Sequence, residues 1–191
     1  VWWVKEMVAA MPETVVGIRD KAIILLGFTS GMRRSEIVSL DTADIAYEPE
    51  GAVVTLKRSK TDQEGVGRQV AVPRGHHEET CPVRALQAWQ EALGVTEGPV
   101  FIRLDPDGDR ERLNGRAVAH VVQRAAARAG LDASLFSGHS LRRGYCTETA
   151  RAGASEADIA RTTGHKSMAV LRGYVEAGTI FENAAARKLD L

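Results

Sequence analysis

The sequence predicts a mainly α fold with one small antiparallel β-sheet, an α+β class. Apolar residues recur at helical spacing toward both ends of the chain, and the period drops to two between positions 43 and 73. Glycine also follows most of the helical stretches, marking where they stop.

Residues 2–11 and 18–28 read as two helices, with Pro12 and Gly17 as break and restart. After the Ser30-Gly31 turn, residues 33–40 form a short amphipathic helix. Ile37 and Leu40 lie on one side, and Arg33 and Glu36 at i, i+3 on another. In the sheet region, Val54 and Leu56 alternate with Thr55 and Lys57, and Val70 and Val72 with Gln69 and Ala71. The polar link at 59–65 between these strands predicts a hairpin tip rich in Lys and Arg. Helix returns at 82–93, with Thr80 or Cys81 as cap, Pro82 in the first turn and Gly94 as the stop. A short apolar segment at 98–104, a polar turn at 105–109 and a helix over 115–129 follow. Four short helices are expected at 139–152, 155–163, 168–177 and 180–189, with Gly164-His165 opening the third and Gly153, Gly164 and Gly178 between them.

At 191 residues and 20.7 kDa, with 44% hydrophobic and 26% charged residues, the chain can bury one good core and is too short for two full domains. Lys and Arg number 25, as do Asp and Glu, so no net charge advertises nucleic acid, and any DNA contact must come from local clustering. The longest apolar run falls far short of the roughly 18 residues of a membrane span, and no signal-peptide layout opens the chain, so no membrane partner is expected. Cys81 and Cys146 lie far apart without a CxxC or Cys/His partner, so neither a disulfide nor a zinc site is expected, and a cytoplasmic setting follows. The opening Val-Trp-Trp-Val, already in helical pattern, is expected to continue from a longer protein.

Five short features carry possible chemistry. His139 and Arg142, at i, i+3, can reach one anion, and arginine suits a phosphate because it offers two parallel N–H donors. His165 follows Gly164, and Tyr174 comes nine residues after it, with Gly173 leaving room for a close approach. Arg33 and Glu36 place a guanidinium beside a carboxylate that can orient it, and Lys60 sits in the hairpin tip. Taken singly, each has an ordinary explanation: a solvated charge, a core tyrosine or a surface ion pair.

Taken together, the order Gly31-Met32-Arg33, Ser35-Glu36, hairpin Lys60, His139 with Arg142, Gly164-His165 and Tyr174 resembles the tyrosine recombinases, or phage-type integrases, over nearly the whole chain. The 23 residues from Arg142 to His165 and the nine to Tyr174 are similar to that family's spacings. Ser137-Gly138-His139-Ser140 with Arg142 and Gly144, and Arg58-Ser59-Lys60-Thr61, look most similar to the Cre-like branch.

The resemblance implies a tyrosine recombinase catalytic-domain fold over residues 1–191, with the family's N-terminal core-binding domain outside this chain. It makes Arg33 and Arg142 the phosphate-clamping arginines, Lys60 the general acid and His139 and His165 further polar partners. Tyr174 becomes the nucleophile and Glu36 the supporting carboxylate. Lys57 rivals Lys60 but lies within the alternating strand rather than at the tip. Arg34, Arg58 and Arg143 are DNA-backbone contacts or plain surface charge, and Arg143 stands where many members carry another His.

The implied activity is site-specific recombination or integration of a mobile element, with a 3′-phosphotyrosine intermediate and with neither metal, cofactor nor ATP. The implied partners are double-stranded DNA and three further copies, as a homotetramer on two DNA sites, with a monomer expected without DNA and nucleoid association in the cell. The tail, about residues 179–191, carries an apolar stripe of Ile180, Phe181, Ala184, Ala185 and Leu189. It either folds back on its own core or packs onto the next protomer. Three other readings compete: a DNA-binding module without chemistry, a type IB topoisomerase-like enzyme, and a helical regulatory domain whose Tyr and His are core.

Overall fold

The structure is a computed structural model that describes residues 1–57, 67–94, 96–104, 110–165, 167–180 and 184. The hairpin connection with Arg58 and Lys60, the turn at 105–109 and nearly all of the tail helix therefore lie outside the described residues. Among the described residues there are eight α-helices and one three-stranded sheet, in the order α1 (Trp2–Ala9), α2 (Val15–Ser30), α3 (Arg34–Ser39), β1 (Ile45–Glu48), β2 (Gly51–Leu56), β3 (Arg68–Pro73), α4 (Pro82–Leu93), α5 (Gly115–Arg128), α6 (Ser140–Arg151), α7 (Glu156–Thr163) and α8 (Met168–Gly178).

Helix α2 is the axle. It is apolar nearly all round, with Ile23, Ile24, Leu25 and Leu26 fully buried, as suits a helix packed on several sides. Its neighbours include α1, α4, α5 and α6. It begins at Val15, capped by the Thr14 hydroxyl, earlier than the expected restart after Gly17. Gly17 lies inside the first turn, where a Cβ would sit 1.9 Å from the Pro12 carbonyl oxygen, so it admits the preceding loop and does not break the helix.

The sheet is an antiparallel meander in the order β1-β2-β3. Ile45 pairs with Val54, and Leu56 pairs with Arg68, so the strands on either side of the hairpin are in register up to its base. Ala52, Val54, Leu56, Val70 and Val72 form the inner face, and β3 packs against α2 and α4. Trp89 of α4 is fully buried and donates its indole N–H to the Val100 carbonyl at 2.7 Å. The buried Asp20 carboxylate is held by Arg19 at 2.7 Å and Arg124 at 3.1 Å, and Arg19 also donates to the Ile102 carbonyl.

This core takes in α1 to α5, the sheet and Leu141 at the start of α6. A second, small cluster of Cys146, Ala150, Ile159 and Leu171 joins α6, α7 and α8. His165 does not open a helix as expected: Gly164 closes α7 and α8 starts at Met168, so His165 lies in the link between them. Both cysteines are free and buried. Among the described residues, no helix is long and apolar enough to cross a membrane.

Candidate active site

Gly31 ends α2 in the left-handed conformation, at φ 59°, and a Cβ there would come within 2.6 Å of Tyr145 and 2.7 Å of Thr163. This sharp exit leaves Met32 buried and sets Arg33 in extended backbone as the cap of α3. Glu36, in the first turn of α3, reaches back to accept from the Arg33 backbone N–H at 2.7 Å and from the Arg33 guanidinium at 2.8 Å. Its carboxylate is 3% exposed, so the pair is not the surface ion pair that these few residues suggest in isolation. A third donor is Arg68, the first residue of β3, at 3.0 Å.

Three guanidiniums then converge on the end of α7. Arg68 donates to the carbonyl of Thr162, Arg142 to that of Thr163 at 2.7 Å, and Arg33 to that of Gly164 at 3.2 Å. The last carbonyls of a helix have no partners within it and carry the negative end of its dipole. Together with Glu36 they offset the repulsion of gathering three cations. Gly164 takes φ 65° as the cap of α7, and a Cβ there would lie 2.9 Å from Arg68 Nε.

Arg142 is 6% exposed and its Nη1 also donates to the Gly31 carbonyl at 2.7 Å, tying α6 to the end of α2. Burial first, and then the charge of Arg33, pull its pKa down to about 10, which still leaves it charged at neutral pH. Its Nε and Nη2 have no acceptor among the described residues, which leaves donors for an anion. The His165 ring is pulled down to about 4, first by burial and then by Arg142, Arg33 and Arg68, so it is neutral at pH 7. Tyr174, half-buried on α8, has its ring centroid 6.3 Å from that of His165. It is held there because α8 packs on α6: Thr147 donates to the Tyr174 carbonyl, and a Cβ at Gly178 would overlap the Thr147 carbonyl. Among the described residues, a Cβ on Gly173 would meet nothing within 4 Å.

The structure thus brings together Arg33, Glu36, Arg142, His165 and Tyr174. It divides the expected His139 and Arg142 pair: Arg142 is buried, while His139 caps α6 and is exposed. No hydrogen bond or ring contact ties its imidazole to the cluster among the described residues. Arg34 is exposed and its stem crosses Gly115 and Gly138, and Arg143 is exposed on α6. Lys60 and Arg58 lie outside the described residues, but Lys57 is held by Asp44 at 2.5 Å. That carboxylate raises the pKa of Lys57, so the lysine keeps its proton more firmly than usual.

Two members of the site escape sequence reading, Arg68 and Thr163. Arg68 leaves one signal: it is in phase with Val70 and Val72, so an arginine stands on the inner face of a strand. Thr163, before a helix-ending glycine, leaves none.

One buried and one half-buried arginine, a third bracing them, a neutral imidazole and a tyrosine define a cluster that offers fixed donors for an anion next to a phenol. Residues 3–179 match the phage integrase family, and the chain belongs to that family. It is 38% identical over 179 residues to an integrase/recombinase XerD homolog of Selenomonas ruminantium, covering 93% of this chain and 52% of that protein. Its fold is that of the XerH recombinase in a post-cleavage complex with DNA, at TM-score 0.75 and 21% identity over 98% of this chain and 52% of the other. It is also that of a lambda integrase tetramer on a Holliday junction, at TM-score 0.63 and 19% identity over 92% and 47%. The chain therefore spans about half the length of the relatives it matches.

Proposed function

We propose that residues 1–191 are the catalytic domain of a site-specific DNA recombinase that cuts and rejoins strands through a 3′-phosphotyrosine intermediate. The observation that carries this reading is the convergence of Arg33, Arg142 and Arg68 on one helix end, with His165 and Tyr174 beside it. A phosphodiester seated against Arg33 and Arg142 has its developing negative charge matched by fixed donors, which is most of what phosphoryl transfer requires. The reading calls for neither a metal nor ATP.

Tyr174 attacks the phosphorus, its phenolic proton passes to a base, and the bond to the 5′-oxygen breaks. That oxygen takes a proton from a general acid. We assign the acid to Lys60. Lys57, the rival, is held by Asp44 in a contact that makes it a poorer acid. The 5′-hydroxyl of a partner strand then attacks the phosphotyrosine and restores the phenol, so the ester bond is conserved throughout.

The partner in this reading is double-stranded DNA, contacted through Arg34, Arg58 and Arg143, with His139 and His165 as further polar partners of the phosphate. The assembly is a homotetramer on two sites, a reading supported by the lambda integrase tetramer bound to a Holliday junction, and the setting is the cytoplasm, with the protein on the nucleoid. The Cre-like affinity rests on the sequence strings alone.

The test is incubation of the full-length protein with nicked DNA from its own element, followed by denaturing gels. A covalent protein–DNA adduct that Tyr174→Phe abolishes is expected. DNA binding without any adduct would sink the catalytic reading in favour of a DNA-binding module without chemistry.

A further inference from the structure

Glycine inside a helix weakens it, so Gly27 in α2 and Gly144 in α6 call for a reason beyond their own helices. Each leaves a notch that another element fills. A Cβ on Gly27 would lie 2.7 Å from Cδ1 of Leu141 and 3.0 Å from Cδ1 of Ile37, so α6 and α3 both seat on α2 there. A Cβ on Gly144 would lie 2.6 Å from Cζ2 of Trp3 and 3.1 Å from Cε2 of Phe28. Trp3 belongs to α1, and the far edge of its indole lies against the backbone of α6 with no side chain between them.

The indole is itself held. It meets Phe28 edge-on with ring centroids 5.5 Å apart, and it meets Phe136, from the segment before α6, on a tilt at the same separation of 5.5 Å. All three rings pack on the large apolar cluster. Leu141 and Gly144 stand three residues apart on α6, so they share one side of that helix and fix it at two points against α1 and α2. Arg142 lies between them in the chain and donates from Nη1 to the carbonyls of Gly31 and Thr163, at 2.7 Å each. Tyr145 follows Gly144 and covers Gly31, where a Cβ would come within 2.6 Å of its ring. A small rotation of α6 therefore carries Arg142 off two carbonyls at once, and hydrogen bonds weaken steeply as their angle departs from linear.

We propose that Trp3 is a positioning residue: seated on Gly144, it sets the rotation of α6 and, through it, the aim of Arg142. The proposal rests on the reading of Arg142 as a phosphate-holding arginine. A guanidinium whose Nη1 is fixed on two carbonyls presents Nε and Nη2 in one direction before any anion arrives. A loosened one has to be ordered by the phosphate itself, and that cost falls on the rate of cleavage.

The test overfills the notch and then relieves it. Gly144→Ala adds one methyl that by helix propensity alone would stabilise α6, so any harm comes from the contact with Trp3. Trp3→Phe draws the ring edge back from Gly144. Nitrogen-15 guanidinium spectra of the arginine-labelled full-length protein, with Arg142 assigned through Arg142→Lys, report whether its Nη groups rotate slowly, with no reference to activity. We expect slow rotation in the wild type and its loss in Gly144→Ala. Single-turnover adduct formation at saturating nicked DNA should slow at least about tenfold in Gly144→Ala, with the Kd for DNA within about twofold of wild type. Adding Trp3→Phe to Gly144→Ala should bring the slow signals back and recover at least about fivefold of the rate. Trp89→Phe, the same change of ring on the α4 side of the core, should move neither readout.

Freely rotating Nη groups in the wild type overturn the proposal. So does a Gly144→Ala protein with wild-type signals and rate, a double variant no better than Gly144→Ala, or a Trp89→Phe protein that loosens Arg142 as much. Should Gly144→Ala fail to fold, Trp3→Leu, which empties the notch, decides: lost slow signals with slower cleavage support the proposal, and unchanged ones overturn it. A wild-type complex that binds DNA and forms no adduct overturns the recombinase reading, while the guanidinium spectra still report whether Trp3 aims Arg142.

Discussion

The two apolar clusters of this molecule differ in size and in what they carry. The large one, built on α2, α4, α5 and the sheet, holds Arg33 and Glu36 on a rigid frame. The small one has four buried residues, Cys146, Ala150, Ile159 and Leu171, and carries His165 and Tyr174. Burying an aliphatic side chain is worth about 1.5–3 kcal/mol, so four small or medium residues hold α7 and α8 only modestly. The polar joint at the end of α7 supplies the rest. Arg33, Arg68 and Arg142 each take one of three consecutive carbonyls there, and α6 runs through both clusters. The half with Arg33 and Glu36 is thus fixed by packing, whereas the half with His165 and Tyr174 is fixed by the same arginines to which the proposed function assigns the phosphate.

That contrast can be broken from either side. The largest effect is expected from Arg142→Ala, which removes a phosphate donor and the link from α7 to α2 together. Adduct formation should fall by about 10²–10³ or more, and Arg142→Lys should restore little of it, because an ammonium lacks the two-pronged fork. Near-normal adduct in gel assays of either variant would remove Arg142 from the site. On the frame side, Trp89→Ala should lower stability by about 3–5 kcal/mol in urea melts, since a fully buried indole and its hydrogen bond are lost. A loss below about 1 kcal/mol would mean that the large cluster is not the rigid half.

Arg68→Ala is the sharper probe of the joint. It should slow cleavage by about 10- to 100-fold, because loss of the brace displaces reacting groups. Amide exchange should speed up in α7 and α8 but not in α2 or α4, and uniform exchange across the chain would refute the division into two halves.

A smaller effect concerns pH. His165, ordinarily near 6.5 and held at about 4 in the fold, binds a proton more readily in the unfolded chain. Its contribution to stability is fully present above about pH 6.5 and is lost as pH falls toward 4. Urea melts at pH 7 and 4.5 should therefore show a smaller drop in His165→Gln than in the wild type, and equal drops would contradict the neutral ring. The smallest effect is expected from Lys57→Ala, within about twofold of wild-type cleavage, against a large loss for Lys60→Ala. The reverse order would transfer the acid role to Lys57.

Much of this was legible beforehand where local chemistry decides the outcome. The helix at Pro82–Leu93 needed only its proline, its apolar stripe and Gly94. The ends of α2 and α7 needed only Gly31 and Gly164. Strand β1 was harder, because Ile45 is its one buried side chain and no alternation shows. The start of α2 was misplaced because Gly17 answers to the Pro12 loop beside it, a contact that no helical pattern encodes.

The sequence by itself determined most of the helices, their glycine stops and the candidate side chains, because spacing and residue type are local properties. Tertiary structure alone decided which of those side chains share one site. Glu36 is buried and accepts from Arg33 and Arg68, His139 is an exposed helix cap, and Lys57 is bound to Asp44. Arg68 and Thr163 enter only because strand β3 and the end of α7 meet around the same carboxylate and the same carbonyls. A hydrogen bond across 94 residues of chain, such as Arg68 to Thr162, depends on the distance between two packed elements, and no window of neighbouring residues contains that distance.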